Sequence, residues 1–238
     1  MLLLKGLIAY FLLILASFFM VIGERLVTQR SFLWGRSICD YCHHPIHPLY
    51  LMPLIGPLLT KFHCSHCRHP IAKKYLFGEL VYALSVIVLL LTTNHPIFNS
   101  AIFSMLFIMS VSDYHKQWVP DRLQLILLAI IMINHALLAI PIYWFQPIVL
   151  LLLFILINKI WPQSIGGADI KTISLLSLTY PAHFGLMWLQ IATSLALLYI
   201  LCHNYVTHRS LEGIPFFPFI TLSFPIISLV YYFNPNLF

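Results

Sequence analysis

The stretch LVYALSVIVLLLTTNHPIFNSAIFSMLFIMSVS, Leu80 to Ser112, runs for 33 residues without a charged side chain and stops at Asp113. A helix needs about 20 apolar residues to cross a bilayer core, so this block is too long for one crossing. Thr93-Asn94-His95-Pro96 supplies a turn signal near its middle. The block therefore reads as a helical hairpin inside a membrane. That reading decides the fold, because the rest of the chain repeats it.

Leu123–Asn158 (36 residues) and Thr172–His208 (37 residues) are also uncharged, with turn signals at Pro141 to Pro147 and at Tyr180-Pro181-Ala182-His183. Gly6–Gly23 and Gly213–Phe238 each supply a single span. The first is longer than the core of a secretory signal and ends Val21-Ile22-Gly23-Glu24-Arg25 without a cleavage site, so it reads as a retained helix. The expected fold is an all-α polytopic membrane protein of about eight spans. Thr172–Tyr180 is too short to cross alone; that helix either starts before Asp169 or lies partly sunk in the membrane. Composition agrees: of 238 residues 61% are hydrophobic and 8% charged, with mean hydropathy +0.91. A soluble globule carries about 25% charged residues, so a water-facing fold is excluded, and disorder with it.

Charge placement orients the chain. Twelve of the thirteen Lys and Arg fall in residues 24–79, 113–122, 159–171 and 203–212, and only Lys5 lies opposite. By the positive-inside rule these loops are cytosolic and both termini lie outside. The net charge of +6 thus reflects topology, and no nucleic-acid partner is expected. All seven acidic residues (Glu24, Asp40, Glu79, Asp113, Asp121, Asp169, Glu212) share that side. Carboxylate chemistry must therefore happen at the cytosolic edge. Three segments follow: 1–23 a first transmembrane helix, 24–79 a cytosolic loop, and 80–238 a transmembrane core.

The 24–79 loop holds Cys39-Asp40-Tyr41-Cys42 and, after 21 residues, Cys64-Ser65-His66-Cys67. Two such pairs signal tetrahedral zinc, each turn aiming two thiolates inward. A disulfide reading competes but suits a reducing compartment poorly. Four thiolates leave no open position, so the zinc is expected to be structural. His43, His44, His47, His63, His66 and His69 read as surrounding groups, and Cys202, in an apolar helix, as a packing residue.

Ionisable residues at membrane depth are costly and usually functional. Asp113 ends one apolar block, and Asp169 follows Gly166-Gly167-Ala168. Small residues there let the backbone approach something closely, beside a carboxylate at membrane depth. Asp121, between Pro120 and Arg122, reads as a helix cap. Two carboxylates in one low-dielectric site cannot both ionise easily, and one proton shared between them is the arrangement of aspartic proteases.

Together these residues resemble type IV prepilin peptidase over nearly the whole chain. Lys74-Tyr75-Leu76-Phe77-Gly78-Glu79, the Asp113 to Pro120-Asp121 segment, Gly166-Gly167-Ala168-Asp169 and Ile214-Pro215-Phe216-Phe217-Pro218-Phe219 are similar to that family's motifs. Ala168 stands where the family has a second glycine, and it constrains the local backbone to φ < 0. The resemblance implies a GxGD-type aspartyl endopeptidase with Asp113 and Asp169 as the catalytic pair. Its substrates would be prepilins or pseudopilins, cut just after a glycine at the cytosolic face of the bacterial plasma or inner membrane. It also implies, for many members, N-methylation of the new terminus with S-adenosylmethionine. Phe216-Phe217 between two prolines leans toward a competence-type branch. Glu79 is expected to pair with Lys73 or Lys74, or to meet a basic leader. Lys171 is expected to tune Asp169 or to touch lipid headgroups. The competing readings are a transporter, with the aspartates as ion ligands, and a zinc-loop scaffold without peptidase activity.

Overall fold

A computed structural model describes residues 2–29, 31, 36–138, 142–162, 165–207 and 213–233. Arg30, Pro141, Arg209 and Glu212, used above for turns and charge placement, lie outside the described residues. The chain divides into two compact units, Met1–Ile87 and Val88–Phe238.

The first unit contains α1 (Leu2–Thr28), a 3-10 turn (Pro48–Leu51), α2 (Ile55–Leu59) and the start of α3 (Lys74–Thr92). Small residues let α1 and α3 approach closely. A Cβ added at Gly78 would meet the Met20 side chain at 2.7 Å, and Ala16 is fully buried. One turn further along, Phe19 meets Tyr82 edge-on with ring centres 5.6 Å apart.

The second unit contains the rest of α3, then α4 (Pro96–Lys116), α5 (Asp121–Leu138), α6 (Phe145–Ile160), α7 (Gly167–Leu176), α8 (Ala182–Thr207) and α9 (Phe217–Phe233). The α3/α4 break falls at Thr93–His95, where Pro96 can start a helix but not continue one. The α7/α8 break coincides with Tyr180-Pro181. Here α9 packs against α4 and α8, α5 against α4 and α7, and α6 against α7.

Among the described residues, five helices are long and apolar enough to cross a membrane: Tyr10–Thr28, Lys74–Thr92, Pro96–Lys116, Asp121–Leu138 and His183–Thr207. Two more, α6 and α9, are apolar but shorter. The helices expose large apolar side chains, among them Phe11, Leu84, Leu125, Leu152 and Leu198, a surface suited to lipid rather than water. The chain is a multi-pass membrane protein. Of the two alternatives for the short segment, α7 starts two residues before Asp169 and stays short at ten residues.

Candidate active site and metal centre

Asp113 sits in the last turn of α4. That helix closes at Gln117, which takes a left-handed φ of 49° and returns its N–H to the Asp113 carbonyl at 2.7 Å. The Asp113 carboxylate reaches across to α9, where its Oδ2 accepts the Phe217 N–H at 3.2 Å. Phe217 opens α9, so Asp113 satisfies one of the N–H groups that a helix start leaves unpaired and faces the positive end of the helix dipole. Further bonds fix the register: Thr221 Oγ1 donates to the Leu106 carbonyl (3.1 Å), and Gln117 Nε2 to the Gly213 carbonyl (3.3 Å).

Asp169 is the third residue of α7 and is buried. Gly166 caps the helix in extended conformation, and a Cβ added to it would meet Asp169 Oδ2 at 2.7 Å. The carboxylate thus folds back over a position with no side chain. A Cβ at Gly167 would meet nothing within 4 Å, so the close approach belongs to Gly166. Ala168 lies inside the helix with negative φ, a conformation that does not need glycine. The helices that carry Asp113 and Asp169, α4 and α7, both pack against α5.

The start of α7 is clamped to α5 by a buried polar cluster not anticipated from sequence. Gln124 Nε2 donates to Thr172 Oγ1 (2.8 Å) and to the Ala168 carbonyl (3.3 Å), and Thr172 Oγ1 also donates to that carbonyl (2.9 Å). Both side chains are buried, so their pairing avoids the cost of stranded polar groups. The available signal was an amide within an apolar helix. The same helices are joined at the surface by Lys171 Nζ and Asp121 Oδ1, 2.6 Å apart. Lys171 is therefore directed to Asp121 rather than Asp169, and Asp121, exposed at the first position of α5, takes a surface role.

In the first unit the two cysteine pairs form equivalent turns. Cys39 N–H donates to the His44 carbonyl (3.0 Å) and Cys64 N–H to the His69 carbonyl (2.8 Å), closed by bridges Ile38–Pro45 and His63–Pro70. The residue after each second cysteine, His43 (φ 55°) or Arg68 (φ 57°), is left-handed. The turns share the pattern Cys-x-x-Cys-x-His-Pro-Ile, a repeat legible in the sequence but not exploited there. They clasp reciprocally: Tyr41 of the first stacks on His69 of the second at 4.5 Å, and His66 of the second on His44 of the first at 4.3 Å. The histidines at these stacks are thus packing groups around the cysteines.

All four thiol sulfurs lie within 4.8 Å of one another, and Cys39 Sγ is 3.9 Å from Cys67 Sγ. Zn–S bonds of about 2.3 Å place tetrahedral sulfurs about 3.8 Å apart, so the set fits that ion. The cysteines are unbridged and half-buried. Backbone N–H groups of Cys67 and His66 hold the Cys64 thiol down to about 6, favouring the thiolate a metal requires. Cys202 is exposed on α8, and so faces outward rather than packing in a core. Glu79, buried near the start of α3, accepts the Leu54 N–H at 3.3 Å and a bond from the Ser17 side chain.

Comparison with known proteins follows this division. Residues 11–93 match the Bacterial Peptidase A24 N-terminal domain, and residues 100–201 match the Type IV leader peptidase family. The chain is 28% identical over 114 residues to a Prepilin leader peptidase/N-methyltransferase of Bacillus subtilis (strain 168). That match covers 47% of this chain and 46% of the relative, so it spans about half the length of the curated protein. No solved structure matches. The family's two parts occur in order along one helical membrane chain that carries a four-cysteine cluster, and the chain belongs to the type IV leader peptidase, or prepilin peptidase, family.

Proposed function

We propose that the chain is an aspartyl endopeptidase that removes the basic leader from prepilins or pseudopilins at the cytosolic face of a bacterial plasma or inner membrane. What supports this reading is a pair of carboxylates at helix ends of one unit, Asp113 in the last turn of α4 and buried Asp169 in the first turn of α7, with both helices packed against α5. Their roles follow from their surroundings. Asp113, whose Oδ2 is held by the Phe217 N–H, takes a proton from the attacking water. Asp169 holds the shared proton and gives it to the scissile carbonyl oxygen as the water oxygen adds to the carbonyl carbon. The C–N bond then breaks as the leaving amine takes the proton held by Asp113, and one hydroxyl of the intermediate returns its proton to Asp169 as the carbonyl re-forms, which restores the pair. A prepilin, with a basic leader followed by an apolar helix, presents its cleavage site at the depth of these helix ends.

In this reading the five long helices, the shorter apolar α6 and α9, and α7 lie in or across the membrane with both termini outside. Residues 1–23 and 80–238 then form the membrane part, and 24–79 the cytosolic loop. Cys39, Cys42, Cys64 and Cys67 hold one structural zinc, which cross-links the two turns of a loop with little core of its own. N-methylation with S-adenosylmethionine is proposed from family membership and the relative's name.

The test is leader cleavage of a co-expressed prepilin by the native chain, Asp113→Asn and Asp169→Asn. Cleavage by the native chain, with a loss of about 10²–10⁴-fold in both variants at unchanged membrane levels, is expected. Variants that cut at native rates would overturn the assignment.

A further inference from the structure

Between the two cysteine turns, Pro45 to Thr60 runs without a charged residue. This segment bears neither metal ligands nor a carboxylate, yet it is built rather than slack. The 3-10 turn is capped by His47, whose Nδ1 accepts the Leu49 N–H at 3.3 Å. Gly56 lies so close to the Tyr50 carbonyl oxygen that the site has no room for a Cβ. Leu54 adopts a left-handed φ of 61°, uncommon for its type, and its N–H is held by Glu79. This folded segment displays its apolar side chains outward. Leu49, Leu51, Ile55, Leu58 and Leu59 are all exposed, Leu58 at 63%. Ile55, Leu58 and Leu59 stand at i, i+3 and i+4 of α2, and so share one helix face.

Exposed leucines in water cost free energy, at about 25 cal/mol per Å². Two observations say what covers them. The first is depth. Glu79, which holds Leu54, is the sixth residue of α3, a candidate span, and on another face of the same turns α3 exposes Phe77, Leu80 and Leu84. The tether therefore sets the segment at the depth where α3 enters the bilayer. The second is charge. Lys61 follows the segment directly, Lys73 precedes α3 and Lys74 opens it, all of them exposed and suited to anionic headgroups.

We propose that Pro48–Leu59 is a monotopic membrane anchor, a short apolar wedge that lies in the lipid interface and seats the cysteine turns against the bilayer. The occupant of the leucine face is lipid. This inference depends on the chain being a membrane protein and is independent of the reaction proposed for Asp113 and Asp169.

A photoreactive benzophenone amino acid placed at Leu58, and separately at Leu49, tests it in the full chain. The chain is reconstituted in phosphatidylcholine vesicles containing phosphatidylglycerol, with a probe at Asp40 in the first cysteine turn as reference. Zinc content and membrane level identify folded variants, and two probe sites keep the test alive if one variant misfolds. Lipid adducts severalfold more frequent from Leu58 and Leu49 than from Asp40 are the expected result. Lipid adducts no more frequent than from Asp40 would overturn the proposal. So would cross-links to a second copy, or to an added leader-bearing peptide in place of lipid, which would reassign the face to an oligomer or to substrate.

Discussion

Asp113 Oδ2 and the Phe217 N–H, 3.2 Å apart, join the end of α4 to the beginning of α9, more than a hundred residues away. The carboxylate is therefore held by backbone, which cannot swing aside as a side-chain partner could. The Phe216-Phe217 segment, read at first as a sequence motif, has a physical task in this contact. It delivers a helix N-terminus to the aspartate.

The two neighbouring glycines of α7 should respond in opposite ways. Gly166→Ala forces a Cβ to within 2.7 Å of Asp169 Oδ2, so the carboxylate or the cap must move. A misplacement of about 1 Å can cost about 100-fold in rate, so leader cleavage should fall by that order while membrane levels hold. Gly167→Ala meets nothing within 4 Å and lies at a helix start where alanine is favoured, so it should cut at the native rate. Equal rates for the two variants would refute the assigned geometry.

Gln124→Leu should separate activity from folding. Thr172 still serves the Ala168 carbonyl in that variant, so the net loss is on the order of 1 kcal/mol and the chain should remain in the membrane. What is lost is the clamp that fixes the first turn of α7 to α5. The cleavage rate at saturating substrate should drop severalfold with little change in KM, measured on reconstituted enzyme. A change in KM alone would place Gln124 in substrate binding instead.

The exposed pair Lys171–Asp121 joins the same two helices yet should matter far less. Exposed ion pairs are worth about 0–1 kcal/mol, and salt screens them. Asp121→Asn and Lys171→Met are each expected to leave cleavage within about twofold of native and to shift thermal unfolding only slightly. A loss as deep as that of Asp169→Asn would return Asp121 to the candidate catalytic set.

The contrast between these two links shows what sequence alone could reveal. Helix breaks were legible because Pro96 and Pro181 act locally, through a missing N–H and a fixed φ. Asp113 and Asp169 stood out because a charge at the edge of an apolar block is costly wherever the chain folds. Partners were not legible. Lys171 lies two residues from Asp169 but is directed to Asp121, fifty residues away, because the register of α5 on α7 decides which groups meet. Gln124 and Thr172 looked like scattered polar residues until packing brought them together. The cysteines were read from spacing alone, whereas their reciprocal clasp needed both turns in space.

That clasp yields the last prediction. If zinc joins the two turns, the stacks Tyr41–His69 and His44–His66 pre-orient them and reduce the ordering required on metal binding. An aromatic pair contributes about 0.5–1.5 kcal/mol, so Tyr41→Ala or His44→Ala should each weaken zinc retention by up to roughly tenfold. The double variant should lose more, because the stacks are separate contacts between the same two turns. Cys64→Ser removes a ligand outright and should release the metal and expose the remaining thiols to alkylation. Competition with a graded series of chelators on purified protein measures all four. Unchanged zinc retention in the double variant would mean that the backbone of each turn, set by the left-handed His43 and Arg68, suffices to hold the site.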